Sequence, residues 1–553
     1  MVLAVLLVGG RVSYLQVLNR PFLQNEGDKR TVREEVISAH RGMIFDRNGS
    51  PLAVSTSVTT LWADPRILVK ERARWPELAK ALGISPKALS RKIENASGRG
   101  FMYLERRMQP ADAKKILDLD ISGVNGLPEY RRFYPAGEVA AQLVGLTDID
   151  DKGQEGVELA LDGWLSGKPG SMRLIKDRRG KVIRETDVLR SAEPGHEIKL
   201  SIDLRIQYLA YRELVRAVRE NEARTASLVM LDVKTGEVLA MVNQPSFNPN
   251  DRSNFSAASV RNRAIVDQFE PGSVIKPFTV AAALESGRYS SHTPVNTSPG
   301  WMRVGRDVVK DVRNFGKLDV TGVITKSSNV GVSKLALDIG PERLVSLFQR
   351  VGLGQSTGVV FPGESTGLMP SRSSWKPIET ATLSYGYGLS VTSLQLAQAY
   401  MILANDGRAV PVSLIKRDIP VESQQVVDPQ VARRVLDMMR TVTGVKGTGR
   451  RARTYSYTVA GKTGTVKKLG VKGYSDDSYI SLFAGVIPAN KPRVAMVVVL
   501  DGTKSTRYYG GVVAAPVFSR VAGEAMRMLG VPADDADSQH MLVDTARNSR
   551  NES

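Results

Sequence analysis

The 553-residue sequence contains no cysteine, which excludes disulfides and thiolate metal sites and leaves the redox compartment open. Histidine is almost as scarce: His40, His196, His292 and His540 are widely scattered. No two of them have metal-ligand spacing, and none flanks a serine in a nucleophile-elbow context. Neither a zinc enzyme nor a Ser-His-Asp hydrolase is indicated, and no metal or cofactor is expected. A membrane-spanning helix needs about 20 apolar residues, and the N-terminal stretch is marginal by that measure. Residues 1–10 are apolar, Arg11 interrupts, and residues 12–18 are mostly apolar again. No basic lead and no small-x-small cleavage site accompany them. A buried core helix is one reading. The expectation is a membrane anchor over residues 1–19, its basic upstream part outside this sequence and Arg11 snorkelling at one face.

Acid is in short supply too: 57 Asp and Glu against 76 Lys and Arg leave a formal net charge of +19. That balance favours an anionic partner, whether nucleic acid, acidic lipid or a carboxylate-rich polymer. Zinc-finger, basic-zipper and RNA-recognition signatures are all missing, so no nucleic acid is expected. Residues 446–472 hold eight Lys or Arg and no acid. They read either as a solvated loop or as an attractor for carboxylates and anionic lipid.

The length suggests roughly three or four domains, and 42% hydrophobic with 24% charged residues is ordinary for globular chains. No internal repeat is present. Residues 20–195 read as short mixed elements: helical patterns at 75–93 and 110–119, and a basic hairpin at 171–189 turning at Arg178-Arg179-Gly180. Two turn-rich stretches, 41–49 and 130–135, carry charges expected to knit loops together. From His196 the pattern changes. A strand at 198–202 and a helix at 204–220 precede a hairpin at 226–242 that turns at Lys234-Thr235-Gly236-Glu237. Helices are expected at 322–340, 341–351, 391–405 and 429–443, strands at 455–460, 479–486 and 492–500, and a last helix at 512–529. One early hairpin and three late strands imply an α+β domain over 196–530, with one antiparallel sheet flanked by helices. The polar tail, 531–553, is expected to be disordered.

Three short motifs carry the chemistry. Glu270-Pro271-Gly272-Ser273-Val274-Ile275-Lys276-Pro277 reads as a turn feeding a helix, because Pro277 is tolerated only in a first turn. Ser273 and Lys276, three residues apart at the positive end of the helix, make a nucleophile and base pair. Ser327-Ser328-Asn329 offers a hydroxyl and an amide two residues apart inside a helical run. Gly461-Lys462-Thr463-Gly464-Thr465 follows a strand-like run. It is not a phosphate loop, which needs a glycine where Ser456 stands.

Ser-x-x-Lys, Ser-x-Asn and Lys-Thr-Gly in this order are the set shared by penicillin-binding proteins and class A β-lactamases. Over nearly its whole length the chain resembles the class B penicillin-binding proteins, and among them the septal, cell-division transpeptidases. Stretches 41–49, 131–145 and 153–170 look like that family's pedestal motifs. Tyr385-Gly386-Tyr387-Gly388-Leu389 and Tyr508-Tyr509-Gly510-Gly511 look like two of its later signatures. The resemblance implies a penicillin-binding transpeptidase fold behind an elongated mixed α/β pedestal of the dimerisation type, over 20–195. It implies a serine D,D-transpeptidase that cross-links peptidoglycan stem peptides and is blocked by β-lactam antibiotics. The expected setting is the inner membrane, with the catalytic domain in the periplasm and a septal glycosyltransferase and other division proteins as partners. By the same resemblance Ser273 is the nucleophile, Lys276 the base, Ser327 the proton relay, Asn329 the holder of the donor backbone and Lys462 the charge that steadies Ser327. Thr463, Gly464 and Thr465 would bind the substrate carboxylate side of the site. Tyr508 and Tyr509 are either aromatic walls or core packing. The alternatives are a D,D-carboxypeptidase or β-lactamase-type hydrolase on the same scaffold, and a non-enzymatic receptor or division scaffold. No Glu-x-x-x-Asn occurs to activate a deacylating water in the class A manner. A receptor would need further membrane spans and a signalling domain.

Overall fold

The computed structural model describes residues 1–19, 32–176, 182–251, 253, 256–470, 473–503 and 508–534. The turn expected at Arg178-Arg179-Gly180 and the tail beyond Asp534 lie outside the described residues. In the N-terminal half, the long strand Pro51–Ala63 pairs antiparallel with Ile44–Phe45, Met102–Met108 and Val124–Phe133. Strand Val32–Ile37 forms a separate sheet with the hairpin Gly170–Lys176 and Val182–Arg190. The single helix expected at 75–93 is two, Trp75–Ala81 and Pro86–Asn95, because Ser85 N-caps a second helix that starts on Pro86. At the N-terminus a helix over Val2–Ser13 continues as a wider turn, Tyr14–Leu18. Among the described residues no helix is long and apolar enough to cross a membrane.

The turn-rich stretches do knit loops together, through buried charge. Arg41 Nε meets Glu158 Oε2 at 2.7 Å and Arg132 Nε meets Glu158 Oε1 at 2.6 Å, with all three side chains buried. Nearby, the Asp46 carboxylate accepts from the backbone N–H groups of Asn48, Ser50 and Leu204 at 2.9, 2.7 and 3.0 Å. Leu204 opens helix α1 (Leu204–Glu220), so a pedestal turn caps a helix of the following domain. A two-residue parallel bridge, Ile198 to Ile44 and Lys199 to Phe45, joins the same two parts.

Strands β1 (Thr225–Asp232) and β2 (Val238–Gln244) form the expected hairpin. The chain then builds helices α2 (Lys276–Glu285), α3 (Val320–Lys326), α4 (Asn329–Ile339), α5 (Ser393–Ala404) and α6 (Pro429–Thr443). It returns as β3 (Ala460–Gly470), β4 (Gly473–Ile487) and β5 (Val494–Thr503) and ends on α7 (Ala515–Met528). The sheet order is β2-β1-β5-β4-β3 with every neighbouring pair antiparallel, as the hairpin and three late strands implied.

Period-two alternation sorts this sheet onto two faces. Leu228, Met230, Met496 and Val498 share a core with α1 and α7, whereas Val229, Leu231 and Val497 share one with α2, α5 and α6. Helices α2 and α5 are apolar nearly all round and are buried accordingly. Phe278 of α2 and Tyr400 of α5, both fully buried, meet edge to face at 5.4 Å, a contact that contributes about 1 kcal/mol beyond burial.

Four expectations are corrected here. The helix expected at 322–340 is broken between α3 and α4, so Ser-x-Asn sits at a junction and not inside a helix. The strand expected at 455–460 starts at Ala460 and runs to Gly470, so Lys-Thr-Gly lies within it and not after it. A short helix, Gly510–Val513, precedes α7 where one helix was expected. Residues 531–534 are not loose: Tyr457 donates its hydroxyl to the Val531 carbonyl at 2.8 Å, and Asp534 accepts from Thr458 N at 2.7 Å.

Candidate active site

Ser273 lies on a 3₁₀ turn, Gly272–Ile275, that runs straight into α2. Two glycines let that turn approach its neighbours. Gly272 has φ +56° and a Cβ there would meet Val466 Cγ2 of β3 at 2.5 Å; a Cβ on Gly386 would meet the Gly272 carbonyl at 2.2 Å. The Gly272 N–H donates to the Gly386 carbonyl at 3.0 Å, and Tyr400 donates its hydroxyl to the Val274 carbonyl at 2.8 Å. The serine is therefore clamped between the edge strand β3 and the 385–388 loop.

Lys276, one turn on, is fully buried, and its Nζ faces the α3–α4 junction. It donates to the Ser327 carbonyl at 2.6 Å, to Asn329 Oδ1 at 2.7 Å and to Ser327 Oγ at 3.2 Å. Among the described residues no hydrogen bond joins it to Ser273; the lysine is committed to the Ser-x-Asn motif. Ser327 ends α3 in the left-handed region, φ 60°, a conformation costing a non-glycine residue about 1 kcal/mol or more. Asp311 braces it. Its carboxylate accepts from the Ser328 hydroxyl at 2.6 Å, from Asn329 N–H, and from Val330 N–H at 3.0 Å, capping α4.

The third motif arrives from the sheet. Order places β3 at the sheet edge, and period-two alternation sends Lys462 and Gly464 to one face and Thr463 and Thr465 to the other. Lys462, also fully buried, donates to Ser327 Oγ at 2.9 Å and to the Thr463 carbonyl at 3.1 Å. A Cβ on Gly464 would meet Leu482 Cγ at 2.7 Å and Val274 Cγ1 at 3.0 Å, so only glycine lets β3 pack on the Ser273 turn. Thr463 and Thr465 line a cavity of about 720 Å³ together with Ser273, Ser327 and Asn329. Thr463 Oγ1 lies 2.9 Å from Thr448 Oγ1, and Thr465 Oγ1 accepts from the Gly510 N–H at 3.0 Å.

Comparison with known proteins agrees with this geometry. The family model described as penicillin binding protein transpeptidase domain matches residues 226–523, and that described as penicillin-binding protein dimerisation domain matches residues 36–200. The chain is 44% identical to the peptidoglycan D,D-transpeptidase FtsI of Escherichia coli K12, over 96% of this chain and 91% of that protein. This chain belongs to the class B penicillin-binding proteins. It is a peptidoglycan D,D-transpeptidase. A probable D,D-transpeptidase, PbpC of Pseudomonas aeruginosa, is 43% identical over 98% of this chain and 96% of its own. Among solved structures, penicillin binding protein 3 from Mycobacterium tuberculosis complexed with aztreonam has a TM-score of 0.70 at 30% identity, covering 91% of this chain and 98% of that one.

In this penicillin-binding protein the two motif lysines are electrostatically unusual. Burial drives the Lys276 pKa well below its ordinary value, the neighbouring Lys462 lowers it further, and Asp311 opposes both. Burial brings Lys462 down to about 7. A hydroxyl held between two such amines can pass a proton in either direction.

The aromatic pair expected as wall or core is wall: Tyr508 and Tyr509 both line the cavity, and Tyr509 is 53% exposed. Their rings lie 4.7 Å apart, and Tyr508 stacks on Tyr479 at 3.9 Å. Tyr479, Thr448 and Asp311 escaped the reading of the sequence. None belongs to a motif, and each reaches the site only through strand pairing or a distant loop.

Proposed function

We propose that this transpeptidase works through a Ser273 acyl-enzyme, cross-links stem peptides at the division septum, and is blocked by β-lactams at the same serine. The observation that carries the reading is the convergence of Lys276 and Lys462 on Ser327 Oγ in the cavity that Ser273 lines. Ser273 Oγ attacks the carbonyl of the penultimate D-alanine and loses its proton to Lys276, whose pKa burial lowers well below that of an ordinary lysine. The carbonyl oxygen becomes an oxyanion facing the backbone N–H groups of Ser273 and Thr465; one such donor is typically worth about 3 kcal/mol. As the C–N bond breaks, the departing D-alanine amine takes the proton by way of Ser327, with Lys462 holding that hydroxyl. The acceptor amine then attacks the ester carbonyl. Its proton passes to Lys276 and on to Ser273 Oγ, which leaves as the free hydroxyl. Thr463 and Thr465 hold the donor's terminal carboxylate, Asn329 its backbone, and Tyr508 and Tyr509 one side of its chain.

The proposed setting is a membrane anchor over 1–19 with the pedestal and the catalytic domain in the periplasm. There the pedestal docks a septal glycosyltransferase and other division proteins. What supports the septal part is the resemblance to cell-division transpeptidases.

The test is mass spectrometry of the intact protein after penicillin. One stable adduct is expected on Ser273 and none on Ser273→Ala; undiminished labelling of that variant refutes the nucleophile. The adduct's lifetime separates transferase from hydrolase. A barrier about 4 kcal/mol higher for water than for amine slows deacylation about a thousandfold, so the adduct should persist through a chase. Loss within seconds would favour the hydrolase reading.

A further inference from the structure

Arg450 and Arg451 sit on a short 3₁₀ turn, Arg450–Ala452, and both line the active-site cavity. The turn is firmly rooted. Ala452 is fully buried, Ser519 donates its hydroxyl to the Arg453 carbonyl at 2.6 Å, and a Cβ on Gly449 would meet the Phe483 ring at 3.0 Å. Both arginines are exposed, and among the described residues neither has a carboxylate partner. The described lining of the cavity contains no Asp or Glu at all, while Lys326 and Lys467 add two further cations. Lys326 is already engaged, donating to the Lys446 carbonyl at 2.9 Å.

Position narrows what these arginines face. Thr448, two residues before Arg450, is hydrogen-bonded hydroxyl to hydroxyl with Thr463 at 2.9 Å. The arginines therefore extend the cavity beyond the threonines that hold the donor's terminal carboxylate in the acyl-transfer reading. We infer that Arg450 and Arg451 form a second carboxylate subsite, which selects peptide substrates bearing an acidic group besides that terminal carboxylate. A planar guanidinium matches a carboxylate in a two-point hydrogen bond, and two neighbouring cations without acids of their own favour an incoming anion. The subsite is exposed, so its selectivity falls with added salt. This inference rests on the stem-peptide reading above.

The experiment uses the full chain and two peptide thioester donors that differ only in one side-chain carboxylate, free in one and amidated in the other. The native protein should prefer the acid by about tenfold in kcat/KM, the size of one charge-assisted hydrogen bond. The difference should lie mostly in KM. In Arg450→Gln/Arg451→Gln the ratio should fall toward one, and in Arg450→Lys/Arg451→Lys it should partly return. No preference in the native protein, or an undiminished preference in the glutamine variant, overturns the subsite. Penicillin labelling of native Ser273 is read in parallel. Failure of labelling refutes the acyl-enzyme reading, whereas normal labelling without acid preference refutes the subsite alone.

Discussion

Two buried charge clusters stand in contrast within this chain. In the pedestal, Arg41 and Arg132 share the Glu158 carboxylate at 2.7 and 2.6 Å, and Asp162 adds a second acid 2.7 Å from Arg41. In the catalytic domain, Lys276 and Lys462 share the neutral hydroxyl of Ser327 at 3.2 and 2.9 Å. All four cations are out of water. Burial by itself would lower the Arg41 pKa, but Glu158 and Asp162 outweigh it and hold that pKa above its ordinary value. The lysines have no directly bonded carboxylate, and burial brings both down. What a cation's burial produces therefore depends on its partner. With an acid it is a cross-link; with a hydroxyl it is an amine of lowered pKa, suited to the base role proposed above.

The largest effect should come from removing the one property that separates the clusters. Lys276→Arg puts a permanently protonated group where the proposed mechanism uses an amine that accepts a proton. Acylation by a fluorescent penicillin should fall about a thousandfold, the middle of the general-base range. A variant acylating near the native rate would mean that Lys276 is not the base.

The converse change belongs in the pedestal. Glu158→Gln leaves two buried guanidiniums without their anion and should cost about 3–5 kcal/mol of stability, seen as a lower urea midpoint for the pedestal transition. Acylation by the folded variant at low temperature should stay within about twofold of native. A large loss of acylation with unchanged stability would reverse the roles assigned to the two clusters.

A third substitution makes the active site resemble the pedestal. Asn329→Asp would put a carboxylate where an amide oxygen now lies 2.7 Å from Lys276 Nζ. An anion so placed raises the lysine pKa, so acylation at neutral pH should fall about a hundredfold and its pH profile should shift to higher pH. A loss with no alkaline shift would assign Asn329 to substrate binding alone.

The last effect is on stability against pH. Lys462 has a pKa of about 7 in the folded protein against 10.5 ordinarily, so between those values the unfolded chain binds the extra proton. Stability then rises with pH across that window, and the gain is lost as pH falls through about 7. Tm measured across the same window should climb for the native protein and climb less for Lys462→Met. Parallel curves would show that Lys462 does not titrate as its burial implies.

Much of the catalytic domain was legible in the sequence because its signals are local. Two apolar arms meeting at Lys234-Thr235-Gly236-Glu237 marked the β1–β2 hairpin, and the helical pattern over 204–220 marked α1 to the residue. Other boundaries were hidden because distant groups set them. The run from 322 to 340 is apolar enough to read as one helix. It breaks where Ser328 N-caps a new helix by accepting from the Gly331 N–H at 2.8 Å. Asp311, just after a separate strand, fixes that cap by accepting from Ser328, Asn329 and Val330. Likewise β3 takes its bounds from pairing with β4, which no propensity in residues 455–470 announces.

The sequence by itself determined which residues have the chemistry: a serine before a helix, two lysines, an amide and a row of threonines, in a fixed order. Local spacing sufficed for that, since a nucleophile three residues from a lysine is a property of one short segment. Only the tertiary structure decided what the lysines are. It brought Lys276 and Lys462 to one hydroxyl from opposite ends of the domain and left them without a bonded acid. It also gave Arg41 and Arg132 the acid that the lysines lack. A pKa depends on desolvation and on charges within a few ångströms, and those distances exist only once the chain has folded.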